Sequence, residues 1–403
     1  MGEQRCILII SALDFWSMGK GKGAPSLWQT LKGYADRGWH VYFITSNKGL
    51  DSVDEVHPNI RVTRFDTKWL KKLMRIKKVG FFARLFWWIW FQIVAFVKAQ
   101  QIRANTSIDV VYAYEVSAVP VAKVLSRLWR VPMVSRFQGT ILKVDLMNRR
   151  FWKIRAWEHL VGLKIPADLV IMANDGTQGD RVLQQLGVNM HKVKFWMNGV
   201  DREIFMNLPS TQEIRKTLNL GVERILLTVS RLDTWKRVDR SIQALPEVLK
   251  SFPDTLLIIV GEGHEREKLE RLVCKLGVKN NVRFEGAVSH NEIPKYLAVA
   301  DIFLSLYDWS NVGNPLLEAM MAGKCIITLN NGDTAQFVKD EYNGILLEYD
   351  ELPTLPNVIK RLLADDNLRN QLGANARKFA EENFWSWKER MEAEIQAVEA
   401  LLR

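Results

Sequence analysis

"ADIFLSLYDWSNVGNPLLEAMMAGKCIITL", residues 300–329, reads as strand, turn, helix and second strand. Asn314 suits an N-cap and Pro315 the first helical position, so the spacing predicts a helix starting there and stopping near Gly323. One residue is out of character: Glu318, a carboxylate inside the apolar run. On this register it lies in the first turn, where the helix dipole favours negative charge. The turn Asn311-Val312-Gly313-Asn314 brings free backbone N–H groups to the same helix end, a place for an anion or for polyol oxygens. A capped core helix whose Glu merely steadies the first turn fits this stretch equally well.

The same alternation runs through the whole chain. Short β-rich runs, "CILIIS", "HVYFITS", "RVTRF", "DVVYAY", "VPMVSRF" and "ADLVIM", are separated by helical stretches in the first half. "RILLTVS", "TLLIIVG", "VRFEG", "DIFLSL" and "CIITL" follow in the second. Strands that alternate with helices build parallel sheets covered on both faces. Two such sets in 403 residues predict an α/β protein of two Rossmann-like domains, residues 1–200 and 201–384. The turn-rich segment 196–213, "WMNGVDREIFMNLPSTQE", is the expected connection. An amphipathic last helix, 385–403, has no third domain to join and is expected to pack across the boundary.

Net charge is +11, unevenly spread: residues 1–200 carry 30 Lys and Arg against 14 Asp and Glu. That half suits an anionic partner such as a membrane surface or a phosphorylated substrate. No helix-turn-helix, zinc-finger or RNP pattern is present, which argues against nucleic acid. Cys6, Cys274 and Cys325 are scattered, so neither a disulfide framework nor a structural zinc is expected. The N-terminal apolar run is too short for a signal-peptide core and reads as the first strand. Residues 68–103 pair a basic flank (Lys71, Lys72, Arg75, Lys77, Lys78) with Phe81, Phe82, Phe86, Trp87, Trp88, Trp90 and Phe91. The 13 uncharged residues between Arg84 and Lys98 fall short of a bilayer span, so the expectation is a helix lying in an anionic membrane surface. A buried helix with a solvated flank is the plainer alternative.

Two further loops follow predicted strands. "MGKGKGAPS", residues 18–26, can bring backbone N–H groups and Lys20 and Lys22 to a phosphate. In "TVSRLDTWKRVDRS", residues 228–241, Arg231 and Lys236 are two cations suited to a leaving diphosphate.

Taken with these, the chain resembles the retaining, nucleotide-sugar-dependent glycosyltransferases of the GT-B fold, specifically glycosyltransferase family 4. The resemblance rests on Ser230-Arg231-Leu232 with Lys236-Arg237, Val260-Gly261-Glu262-Gly263, Asn198 to Asp201, Val282 to Asp301 and "GNPLLEAMMAGK". It implies two Rossmann-like domains facing across a cleft, with the last helix returning to the N-terminal, acceptor-binding domain. It implies that Arg231 and Lys236 hold the donor diphosphate and that Glu318 accepts from the ribose hydroxyls. Gly23, Ser310, Asn311, Val312, Gly313, Asn314 and Leu316 would line the donor. Gln138 stands where the family often has a His, and Ser310 where it often has a Glu. Gln cannot ionise, and Ser is shorter and neutral.

The expected activity is therefore transfer of a hexosyl unit from a UDP- or GDP-hexose to a glycan or lipid-linked acceptor. It would be retaining and free of metal and cofactor, and would take place on the cytoplasmic side of a membrane to which the protein is peripherally bound. The alternative is a non-catalytic GT-B subunit that binds a sugar nucleotide or steadies a partner transferase.

Overall fold

The computed structural model describes residues 5–13, 25–46, 57–67, 80–142, 156–206, 208–221 and 223–403. Gly23, the Gly/Lys loop around it and the basic flank 68–79 lie outside the described residues. The chain divides into two compact units: Met1–Asn174 with Gln178–Met197 and Lys388–Arg403, and Asn198–Trp387 with Asp175–Thr177.

Unit 1 is built on a parallel sheet of seven strands in the order β3-β2-β1-β4-β5-β6-β7. These are β1 (Cys6–Ser11), β2 (His40–Thr45), β3 (Ile60–Arg64), β4 (Val110–Tyr114), β5 (Met133–Phe137), β6 (Leu169–Ala173) and β7 (Val193–Trp196). Alternate side chains feed two cores, as a parallel sheet covered on both faces requires. Leu8, Ile10, Val111, Ala113 and Met172 meet Phe91, Ala95 and Ala99 of the helix Gly80–Arg103. Ile7, Ile9, Val41, Phe43, Val110 and Ile171 meet Leu27 and Leu31 of the helix Pro25–Asp36 and Met391, Ile395 and Val398 of the helix Trp387–Glu399.

A buried ionic cluster fixes that last helix. The Glu394 carboxylate accepts from Tyr112 Oη at 2.6 Å and from Arg136 Nη1 at 3.1 Å, and pairs with Arg390 Nη1 at 2.9 Å. Arg136 also donates to the Thr30 hydroxyl, and Arg390 Nε to the Met197 carbonyl at 3.0 Å. Arg136, Arg390 and Glu394 are all buried. Burial alone would raise the Glu394 carboxyl; the two guanidiniums and the Tyr112 hydrogen bond outweigh it and hold it below the ordinary value.

The aromatic helix Gly80–Arg103 is longer than its uncharged stretch of 13 residues suggested, because it continues through Arg84 and Lys98. By length and composition alone it is long enough and apolar enough to cross a membrane. Its two faces differ: Trp87, Phe91, Ala95 and Ala99, spaced by four, are buried, while Phe82, Phe86, Ile89, Ile93 and Val97 are exposed, Phe82 by 70%.

Unit 2 holds a parallel six-stranded sheet in the order β10-β9-β8-β11-β12-β13. Its strands are β8 (Arg224–Val229), β9 (Thr255–Val260), β10 (Val282–Gly286), β11 (Ile302–Ser305), β12 (Cys325–Leu329) and β13 (Ile345–Leu347). Residues 300–329 form the β11–helix–β12 unit that their pattern predicts. The two strands pair in parallel from Ile302 opposite Cys325 to Ser305 opposite Thr328. The two glycines of Val260-Gly261-Glu262-Gly263 are there for space. A Cβ on Gly261 would sit 1.7 Å from the Ser230 carbonyl oxygen, and one on Gly263 2.4 Å from that of Leu232. The loops after β8 and β9 thus run backbone against backbone, Leu232 N donating to Glu262 O at 3.0 Å.

Candidate functional site

The helix after β11 begins one residue earlier than its sequence predicts. Gly313 is the N-cap, Asn314 and Pro315 open the helix Asn314–Met321, and Glu318 falls in the second turn. The dipole of the first turn therefore does not account for this carboxylate. Gly323 stops the helix as expected, in the left-handed conformation at φ +67°. Asn314 does not cap; its Oδ1 accepts from Asn198 Nδ2 at 3.0 Å.

Ahead of this helix the chain is held tightly. Asn311 is fully buried: its Oδ1 accepts from Tyr307 N at 3.1 Å and from Ser305 Oγ at 3.2 Å, and its Nδ2 donates to Asn331 Oδ1 at 2.9 Å. With the Asn311 side chain spent on the loop, only its backbone can serve a ligand. Val312 and Leu316 are buried and act as packing. Ser310 takes φ +60°, a left-handed conformation uncommon for a residue other than glycine. Its hydroxyl donates to Asp175 Oδ2 at 2.7 Å, and Asp175 Oδ1 accepts from Thr177 N at 3.1 Å and Thr177 Oγ1 at 2.6 Å.

The two predicted cations stand beside this loop. Lys236 Nζ lies 4.1 Å from the centre of the Trp235 ring and 3.9 Å from that of Tyr307, held between two aromatic faces. Burial there, with the Arg231 charge nearby, lowers the Lys236 pKa to about 7, against the opposing pull of Asp175 and Asp233. Arg231 is 66% exposed on its side chain and pairs with Asp233 at 3.3 Å. Trp235 stacks on Trp309 with ring centres 5.5 Å apart and planes 2° from parallel, and Asp308 N donates to Trp235 O at 2.9 Å. The turn after β8 and the loop after β11 are thus one surface. It ends in a half-buried lysine, an exposed arginine and a helix start.

Glu318, buried, is met by His290 Nε2 at 2.8 Å. Burial of the imidazole works to lower its pKa; the Glu318 charge and hydrogen bond, with Asp201, outweigh this and raise it. Asp308, next in sequence to the loop, is engaged elsewhere: Arg240 Nη2 reaches its Oδ1 at 2.7 Å, Arg237 Nη1 at 3.5 Å, and the Tyr349 hydroxyl also donates to it. Gln138, in unit 1, follows β5; its backbone N–H donates to Glu115 Oε1 at 2.8 Å. The structure therefore brings together Arg231, Lys236, Ser310, Asn311, Gly313, Asn314 and Glu318, all in unit 2. Sequence reasoning missed Asp175, Trp235, Tyr307 and His290. Only Trp235 had a signal, its place beside Lys236.

Residues 210–379 match the family of glycosyl transferases group 1. This segment, less than half of the chain, is similar to the glycosyl transferases group 1 domain. It contains Arg231, Lys236, Ser310 and Glu318. The GDP-mannose-dependent alpha-(1-6)-phosphatidylinositol monomannoside mannosyltransferase of Mycolicibacterium smegmatis is 30% identical over 200 residues, 48% of this chain and 52% of that protein. The UDP-Gal:alpha-D-GlcNAc-diphosphoundecaprenol alpha-1,3-galactosyltransferase of Escherichia coli is 24% identical over 276 residues, 67% and 70% of the two chains. The chain spans about half the length of the first of these relatives. Among solved structures, sucrose-phosphate synthase from Thermosynechococcus elongatus superposes with a TM-score of 0.80 at 20% identity, over 99% of both chains. The fold is thus the α/β one of GT-B glycosyltransferases, with two Rossmann-like units, as the resemblance implied.

Proposed function

We propose that this protein is a glycosyltransferase that moves a hexosyl unit from a UDP- or GDP-hexose to a glycan or lipid-linked acceptor at a membrane surface. The observation that carries the reading is Lys236, clasped between Trp235 and Tyr307 beside Arg231 and the start of the helix Asn314–Met321. Two cations and a set of helix-end N–H groups suit a diphosphate better than any other common ligand. Relatives named for GDP-mannose and UDP-Gal support the donor class, and the phosphatidylinositol monomannoside and GlcNAc-diphosphoundecaprenol in their names support a lipid-linked acceptor.

Charge develops on the diphosphate as the sugar leaves, and Arg231, Lys236 and the amides of residues 311–314 stabilise it without a metal ion. In a retaining reaction the acceptor attacks the face the diphosphate leaves, and the departing oxygen takes its proton. Gln138 then supplies a positioning hydrogen bond and no proton. Glu318 takes the ribose hydroxyls, and His290 shares or yields the carboxylate when they arrive.

The exposed stripe Phe82, Phe86, Ile89, Ile93 and Val97 lies in the surface of an anionic membrane, with the protein peripheral on the cytoplasmic face. Spanning the bilayer would strip Phe91, Ala95 and Ala99 out of the core of unit 1. A non-catalytic subunit is the second reading, favoured by Ser310 and Gln138. A panel of UDP- and GDP-sugars, assayed for binding and for slow release of free nucleotide in EDTA, tests both. Release in EDTA supports the enzyme, binding without release supports the subunit, and the absence of both refutes the nucleotide-sugar reading.

A further inference from the structure

Position 310 is a serine where the resembling family often carries a glutamate, yet a carboxylate stands at that place. Asp175, 135 residues earlier in the chain, sits with its Oδ2 at 2.7 Å from Ser310 Oγ. It lies on the short loop between β6 and the helix Gly179–Gln185, and residues 175–177 pack as part of unit 2. That loop is seated firmly. A Cβ on Gly332 would fall 1.8 Å from the Gly176 carbonyl oxygen, and one on Gly176 3.2 Å from the Val312 backbone nitrogen. The segments 310–313 and 330–333 thus grip the Asp175 loop from two directions.

The hydrogen-bond arithmetic gives this contact a function. A serine hydroxyl has one proton to donate and two lone pairs that accept. Asp175 Oδ1 is occupied by Thr177, and Oδ2 takes the Ser310 proton at the length of a charge-assisted bond. Ser310 Oγ can then only accept from a ligand, and the anion behind it strengthens that acceptance. The positive φ of Ser310 fixes where the oxygen points. The matching ligand group is a hydroxyl donor, and next to Lys236 and the helix start the donor sugar offers one.

We propose that Asp175 is the positioning carboxylate of the donor-sugar subsite, holding Ser310 as an acceptor for one sugar hydroxyl. This rests on the nucleotide-sugar reading, and a split between two kinds of ligand separates the two ideas. Calorimetry on the full chain would use UDP, GDP and their glucose, galactose and mannose conjugates, with Asp175→Asn, Ser310→Ala and the double variant. The expected result is an affinity for the bare diphosphate within about twofold of the wild type in all three variants. Affinity for the preferred sugar conjugate should fall roughly tenfold in each single variant, as the loss of one hydrogen bond to a charged pair implies. The double variant should be no weaker than either single one, because both remove the same contact. Equal losses for diphosphate and conjugate would assign Asp175 a merely structural role and overturn the inference, as would additive losses or none. Should Asp175→Asn fail to fold, Ser310→Ala carries the same split. A wild type that binds none of the eight probes would refute the nucleotide-sugar reading first and this inference with it.

Discussion

Lys236 is expected to take up a proton when a diphosphate binds. In the empty site its pKa is lowered to about 7, chiefly by burial and then by Arg231. At pH 8 roughly nine-tenths of such sites are uncharged, and at pH 6 roughly one-tenth. A diphosphate placed against the ammonium favours its charged form and restores the missing proton. Calorimetry of UDP or GDP in buffers of different ionisation enthalpy reads this as a slope. It should approach about 0.9 protons taken up per site at pH 8, where the terminal phosphate of the ligand is already ionised. Affinity should fall by about tenfold for each unit of pH above 7, or about 1.4 kcal/mol. The unliganded fold shows the opposite trend. The folded pKa lies below the unfolded value of 10.5, so the penalty of burying the charge is complete below pH 7. It is relieved as pH rises from 7 towards 10.5. Lys236→Arg keeps the charge at every pH and should abolish the slope while retaining binding. An uptake below about 0.2 protons at pH 8, or the same uptake in Lys236→Met, would refute the argument.

Glu394→Ala leaves Arg136 and Arg390 buried without their partner and should cost about 3–5 kcal/mol at pH 7 by chemical denaturation. Because the carboxyl is held below its ordinary value, wild type and variant should converge as pH falls through that lowered value. His290→Ala should destabilise by roughly 1 kcal/mol below pH 6 and progressively less as pH rises through the raised imidazole pKa; a constant difference between pH 5.5 and 8.5 would sink that assignment. Gln138→Ala should slow transfer, and Ser310→Glu should not accelerate it; strong activation by the glutamate would mark Ser310 as a damaged position. Replacing Phe82, Phe86 and Trp90 with Ser should release the protein from anionic liposomes in a sedimentation assay, and a wild type that stays in the supernatant would dismiss the membrane face.

The inner strands were legible in the sequence because a strand buried on both faces is written as an unbroken β-rich run, "CILIIS" or "TLLIIV". Two of the four edge strands, β7 and β13, were not, whereas β3 and β10 at the opposite edges were read as "RVTRF" and "VRFEG". β7 is four residues of mixed exposure, "VKFW", and β13 only three, "ILL", too brief to set a period. Arg231, Lys236 and Glu318 could be proposed from the sequence because each lies in a spaced motif of one segment. Asp175 was not, since "ANDGTQG" has the composition of any turn. Its partner is 135 positions away. For Glu318 the helix dipole was the wrong local reason: the fold sets it in the second turn and against His290, which no local pattern announces.

Unit 1 is discontinuous in a way that matters while the protein is being made. Its seven strands leave the ribosome first, but Met391, Ile395 and Val398, which close one of its cores, follow only after all of Asn198–Trp387. Until then Arg136 has no Glu394, and the sheet face over Ile9 and Phe43 has only the helix Pro25–Asp36 as cover. Unit 2 draws only Asp175–Thr177 from outside its continuous span and can fold on a nascent chain whose earlier half is still open. A released chain truncated after residue 387 is therefore expected to lose unit 1 to a protease before unit 2. Translation pauses near residue 387 would lengthen the time for which that face lacks Met391, Ile395 and Val398.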